Sequence, residues 1–292
     1  MKSVRSAFFS KIPIEIKAKI YSLCYKKDLL NLALCNKENC EEIIPYLWES
    51  FVLCLSDLRQ NGFVRQNLKH TMHFISYVGY SEEVDEIMLY TSDRLKKLSI
   101  HDAFQEVTSP DASQEVTSWS KISLFESLRH LELSNCVVSD EDINNINNKN
   151  IQKLELVFCQ NLTAKCLQSI TNFASLQDLT FSDLFRNIDE AAFVCLHQLE
   201  NLVRLNLSET DAGDALFQHA VGNYRHLKHL ELRYTKVTDT GLFYISKLPE
   251  IAHLDISLCE ISDEGLSFLG RLASLKNFLF QKRENLQVVL AN

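Results

Sequence analysis

Residues 227–242 read LKHLELRYTKVTDTGL, and residues 251–266 read IAHLDISLCEISDEGL. The two stretches are one pattern written twice, 24 residues apart. Apolar residues stand at the first, fourth and sixth positions, and the alternation around the last two is the period of a short strand with one face buried. At position nine a small group, Thr235 or Cys259, suits the inside of a bend. A helix start follows. Thr238 and Ser262 are natural N-caps, and Asp239 and Asp263 after them favour the positive helix end. Leu266, Leu269 and Leu272 then recur at helical spacing. Such a strand–bend–helix unit cannot bury its own apolar side and needs copies of itself to stack upon.

The copies are present. L-x-x-L-x-L, with Ile or Phe sometimes replacing Leu, recurs at Leu95/Leu98/Ile100, Leu128/Leu131/Leu133, Ile151/Leu154/Leu156, Leu176/Leu179/Phe181, Leu202/Leu205/Leu207, Leu227/Leu230/Leu232, Ile251/Leu254/Ile256 and Leu275/Phe278/Phe280. From Leu128 onward the steps are 23, 25, 26, 25, 24 and 24 residues. The step from Leu95 to Leu128 is 33, but residues 102–109, DAFQEVTS, are nearly repeated at 111–118, DASQEVTS. Removing one nine-residue copy restores a step of 24, so the duplication reads as an exposed loop extension. Stepping back by 24 from Leu95 lands on Thr71, with Phe74 in phase, and a further step lands on Leu47. The position-nine residues Cys136, Cys159 and Cys259 and the V/I-S/T-D-x-G-L phrase resemble the cysteine-containing subclass of leucine-rich repeats. The expected fold is therefore an α/β solenoid: a curved horseshoe of repeats over residues 51–292, divergent at 51–94 and clear from 95, with strands on the concave face.

The first fifty residues are of another kind. Pro13 suits a first helical turn. Ile16, Ile20 and Leu23 share one helix face, Asp28 can cap a second helix carrying Leu29 and Leu30, and a third runs through Ile43 and Ile44. Three short helices have too little core to stand alone and need a body to pack on; a helical cap on the first repeat would satisfy that need. The residues also resemble the F-box: Ile12-Pro13-x-Glu15-Ile16, Ile20 and Leu23, Asp28-Leu29-Leu30, Cys35-Asn36-Lys37 and Pro45-x-Leu47-Trp48 keep its spacing. Ile12 replaces the opening Leu, and Glu38-Asn39 stand where a Trp often follows the Cys-x-Lys phrase. With a short three-helix F-box at 8–50 ahead of the repeats, the resemblance implies the substrate-recognition adaptor of a cullin–RING ubiquitin ligase. It implies that Ile12, Pro13, Ile16, Ile20, Leu29, Leu30 and Trp48 contact the Skp-family linker protein. Through that linker the chain would reach cullin and the RING subunit, and its repeats would hold a protein substrate. The alternative is a protein-binding scaffold or inhibitor whose N-terminus is only a cap. Short, degenerate repeats without further domains are also similar to bacterial effectors that imitate host F-box proteins.

On the strands, positions three, five and seven face away from the core. Position three reads Lys97, His130, Lys153, Asp178, Arg204, His229, His253 and Asn277, beside an acid-leaning position-five row, so many of these charges are expected to pair along the sheet. Position eight carries Phe158, Tyr234 and Leu258 just beyond the strand. Exposed apolar groups on a rim are candidate anchors for a partner, and Phe158, Arg233, Tyr234, Asp255 and Leu258 are the candidate substrate-binding residues. His229 and His253 lie on neighbouring strands with no third ligand expected, so no metal site and no cofactor is foreseen. No phosphate-binding glycine loop, H-E-x-x-H or G-x-S-x-G occurs, which points away from an enzyme.

Charge and cysteine usage bound the rest. The formal charge is −8, and residues 1–50 carry eight Lys/Arg against six Asp/Glu, leaving an acidic remainder of 22 against 32. An acidic body repels phosphate backbones, so neither nucleic acid nor an anionic membrane is an expected partner. Nine cysteines, an odd number scattered through apolar segments without a charged-then-apolar leader, read as reduced thiols in the cytoplasm or nucleus of a eukaryotic cell.

Overall fold

Alternation dictates the strands, and the repeat length dictates how they meet. The computed structural model describes residues 73–76, 95–101, 119–146, 148–182 and 188–282. The helices and contacts expected over 8–50, the unit expected at Leu47 and the duplicated stretch 102–118 lie outside the described residues. Strands β1 (His73–Ser76), β2 (Lys97–His101), β3 (His130–Ser134), β4 (Lys153–Val157), β5 (Asp178–Ser182), β6 (Arg204–Asn206), β7 (His229–Glu231), β8 (His253–Asp255) and β9 (Asn277–Leu279) form one sheet in chain order. Every pairing is parallel.

The register follows the repeat phase. Phe74, Leu98, Leu131, Leu154, Leu179, Leu205, Leu230, Leu254 and Phe278 stand side by side as one row. The Phe74–Leu98 pairing is the register that a step of 24 back to Thr71 requires. β2 pairs directly with β3, so the duplicated nine residues are accommodated without a slip.

Between strands the chain crosses the other side of the core as α1 (Asp140–Ile146), α2 (Ala164–Ile170), α3 (Asp214–Ala220), α4 (Asp239–Ile245) and α5 (Asp263–Leu266), or as 3₁₀ turns at Trp119–Leu124, Glu190–Gln198 and Ser267–Arg271. Helical segments are wider than the roughly 4.8 Å strand spacing, so the stack curves with its strands inside. Positions one, four and six from Leu95 to Ile256 are buried in a single core. Each such side chain contributes about 1.5–3 kcal/mol by leaving water. Tyr224 is fully buried too, its hydroxyl donating to the Leu196 carbonyl at 2.8 Å. In the last repeat the rule lapses: at positions one, four and six, Leu275 and Phe280 are half-buried and Phe278 is 38% exposed.

The small group at position nine does more than fit. Cys136, Cys159 and Cys259 donate their thiols to the carbonyls of Ile100, Leu133 and Leu232 in the preceding repeat. Thr210 and Thr235 donate instead to Leu207 and Leu232 of their own repeats. Burial pushes the Cys159 thiol up to about 11, and the five described cysteines form no disulfide.

The helix-start phrase also works between repeats. Ser139, Thr238 and Ser262 cap α1, α4 and α5 as their sequence implies, and Thr163 caps α2. Each capping residue of α2, α4 and α5 is held in turn by the first-turn aspartate of an earlier helix. Asp140 accepts from the Thr163 backbone N–H, Asp214 from Thr238 and Asp239 from Ser262, each at 2.8 Å, and each also accepts the hydroxyl. Glycine in the phrase is the clearance for that carboxylate. A Cβ on Gly241 would strike Asp214, and one on Gly265 would strike Asp239.

Candidate protein-binding face

Side chains at positions three, five and seven project from the inner face of the sheet, and pairing divides this face in two. Over β2–β5 the charges neutralise one another. Glu132 takes Lys97 at 3.2 Å, His101 at 3.5 Å and the Ser99 hydroxyl at 2.8 Å. Glu155 takes His130 at 3.0 Å and Lys153 at 2.8 Å, and Lys153 reaches Asp178 at 3.6 Å. The hydrogen bond to His130, followed by Lys153, outweighs burial and holds the Glu155 carboxyl down at about 2. The pairing expected along the sheet is therefore present in this half.

Over β6–β8 the charges are not consumed in this way. Among the described residues, Arg204 and Arg233 join no salt bridge and make no side-chain hydrogen bond, and both are exposed. Glu231 accepts from Asn206 Nδ2 at 2.9 Å, and Asp255 accepts from the Ser257 backbone N–H at 2.8 Å. The His229 and His253 rings lie 5.8 Å apart. Desolvation, with Arg204 and His253 nearby, lowers the His229 pKa.

The candidate anchors separate by position. Position eight has a left-handed backbone at Asn135, Phe158, Glu209, Tyr234 and Leu258, with φ of 53–63°. Its N–H still donates to the position-seven carbonyl of the next repeat, as Tyr234 does to Ser257 and Leu258 to Gln281. Phe158 is 48% exposed, Tyr234 is half-buried and Leu258 is only 6% exposed. The expectation of an exposed Leu258 is corrected: its side chain is buried. Arg233, Tyr234 and Asp255 occupy adjacent repeats, whereas Phe158 lies three strands away, roughly 14 Å along the stack.

Two features went unrecognised in the sequence. His130, Glu132 and Glu155 bring their ligand-type atoms within 4.8 Å of one another. Lys97 and Lys153 already pair with those carboxylates, so their charge is spoken for. The second is a cleft of about 160 Å³ lined by Lys153, Asp178, Thr180, Arg204, Asn206, His229 and Glu231. Each residue stood in the rows read from the repeat; which of them would remain unpaired depends on side-chain reach, which no spacing encodes. No helix among the described residues is long and apolar enough to cross a membrane.

This geometry defines a class, a stack of leucine-rich repeats, the architecture of a protein-interaction scaffold. A family model described as Leucine Rich repeat matches residues 126–145, 225–246 and 251–270, the units built on β3, β7 and β8. Among solved structures the chain is similar to internalin C2 (inlC2) from Listeria monocytogenes str. 4b F2365, with a TM-score of 0.52 and 18% identity over 74% of this chain and 84% of that one. It is also similar to an internalin (inlF) from the same strain, with a TM-score of 0.54 and 14% identity over 81% of this chain. There it spans 62% of the other chain, less than two thirds of its length. At such identities the likeness is one of fold. No curated protein matches the sequence.

Proposed function

We propose that this chain is a non-catalytic substrate-recognition adaptor of a cullin–RING ubiquitin ligase, acting in the cytoplasm or nucleus of a eukaryotic cell. Its F-box-like segment at 8–50 binds a Skp-family linker, and its repeats hold a target protein. The observation that carries the proposal is the F-box spacing from Ile12 to Trp48 directly ahead of leucine-rich repeats. An open sheet face with charges left over on β6–β8 suits the binding of a macromolecule rather than the enclosure of a small substrate. Arg233, Tyr234 and Asp255 are the central contacts to the target. Leu258, being buried, drops out of the contact set, and Phe158 is an outlying anchor. The internalin likeness does not bear on a bacterial-effector origin, because it speaks only for the fold.

Co-expression with the Skp-family linker tests the proposal. The intact chain is expected to co-purify with the linker, cullin and the RING subunit, and a chain lacking residues 1–45 is expected to lose all three. Failure of the intact chain to capture the linker would leave the repeats as a scaffold or inhibitor independent of ubiquitin transfer.

A further inference from the structure

We infer that the cleft beside Arg204 receives a carboxylate side chain of the bound protein, an Asp or Glu gripped by Arg204 with His229 and His253 alongside. The inference deepens the proposed function by naming the chemistry of the target segment, and it rests on that reading only for the identity of the partner.

Three observations converge here. The cleft, about 160 Å³, is of side-chain size. Its lining cations differ in state: Lys153 is engaged by Glu155 and Asp178, whereas Arg204 joins no ion pair among the described residues. A guanidinium offers a planar fork of donors that matches a carboxylate, and Arg204, exposed and in no ion pair with the Asp178 and Glu231 that share its cleft, keeps that fork available to an incoming anion. Beside it, His229 lines the cleft, its ring tilted against that of His253 on the adjacent strand at 5.8 Å, and it can take up a proton once an anion arrives.

The surroundings select a carboxylate over a phosphoryl group. Asp178 and Glu231 also line the cleft. They would repel a group carrying nearly two negative charges more than a single carboxylate. The groups acting on His229 are Arg204, His253 and Lys228, which disfavour its proton, and Asp178, which favours it; Glu231 lies on its own strand at the cleft wall. A bound carboxylate adds to the favouring side, so binding takes up a proton and strengthens as pH falls through the imidazole range.

The test uses the full chain and an acetylated, amidated peptide of alternating glycine and glutamate, followed through the histidine ring resonances. The peptide is expected to perturb His229 and His253, to raise the His229 midpoint and to bind more tightly near pH 6 than near pH 8. Its glutamine counterpart should leave both rings unmoved. Arg204→Gln is expected to weaken the glutamate peptide about tenfold, the worth of one charge-assisted hydrogen bond. Its melting temperature should stay unchanged, because the side chain is exposed. His229→Gln should flatten the pH dependence. Equal binding of the glutamine peptide, unchanged affinity in Arg204→Gln, or tighter binding of a phosphoserine peptide of the same spacing overturns the assignment. Linker capture by Arg204→Gln is scored in parallel: if the intact chain fails to bind the linker, the adaptor reading falls while the peptide result stands by itself.

Discussion

Position eight shows what a single residue contributes. Five described repeats turn there through left-handed backbone without a glycine, at Asn135, Phe158, Glu209, Tyr234 and Leu258. A non-glycine residue held so costs about 1–2 kcal/mol, Asn less than the rest. Glu209 is exposed and its φ is 62°. Glu209→Gly should therefore relieve strain and raise the melting temperature by about 2 °C, whereas a β-branched Glu209→Val should lower it; thermal unfolding of the two variants decides. A drop in both would show that the Glu209 side chain matters more than its backbone. The sequence placed Phe158, Tyr234 and Leu258 correctly at the end of their strands. What it hid was the left-handed backbone at position eight, because no glycine marks it, and the burial of Leu258, since the same turn leaves Phe158 48% exposed.

At the scale of elements, caps were legible and their partners were not. Ser139, Thr238 and Ser262 announce helix starts through residue type alone, but the carboxylates that hold Thr163, Thr238 and Ser262 come from preceding repeats 23 or 24 residues away. Gly241 therefore has a task that helix propensity opposes. Alanine should favour the interior of α4 by about 1 kcal/mol, yet its Cβ would displace Asp214 from Thr238. Gly241→Ala is expected to destabilise the chain. In the Asp214→Ala background the same change should cost less, the clash with Val237 remaining, and a double-mutant cycle in denaturant measures the coupling; additivity would mean that Gly241 does not make room for the Asp214 carboxylate. The network across β3–β5 gives a pH signature. Glu155 is held at about 2 against an ordinary value of 4.5. Its folded pKa is depressed, so its contribution is complete above about pH 4.5 and disappears as pH falls toward 2. Glu155→Gln should lower stability at pH 7 and lose part of the acid sensitivity in that window, as equilibrium unfolding at several pH values would show.

For the molecule as a whole, the phase of the repeat was the most legible property, because one apolar row runs in register from Phe74 to Phe278 whatever the intervening charges do. Deleting nine residues, 110–118, ahead of the 3₁₀ turn that begins at Trp119, should leave the melting temperature almost unchanged, since β2 and β3 already pair as neighbours; a fall of many degrees would mean that the extension packs on the solenoid. The open face was legible as rows of charge, and its division into a neutralised half and an available half was not, since that depends on which side chains reach one another. The function joins this face to residues 8–50, and the strength of the linker contact is its most direct test. Affinity for the purified Skp-family linker should be measured for the intact chain and for a Pro13→Ala, Ile16→Ala double variant, with circular dichroism confirming that the repeats remain folded. Tight binding by the intact chain and a loss of at least about a hundredfold in the variant is the expected result; equal affinity of the two proteins, or no binding by either, would contradict the assignment of an F-box adaptor.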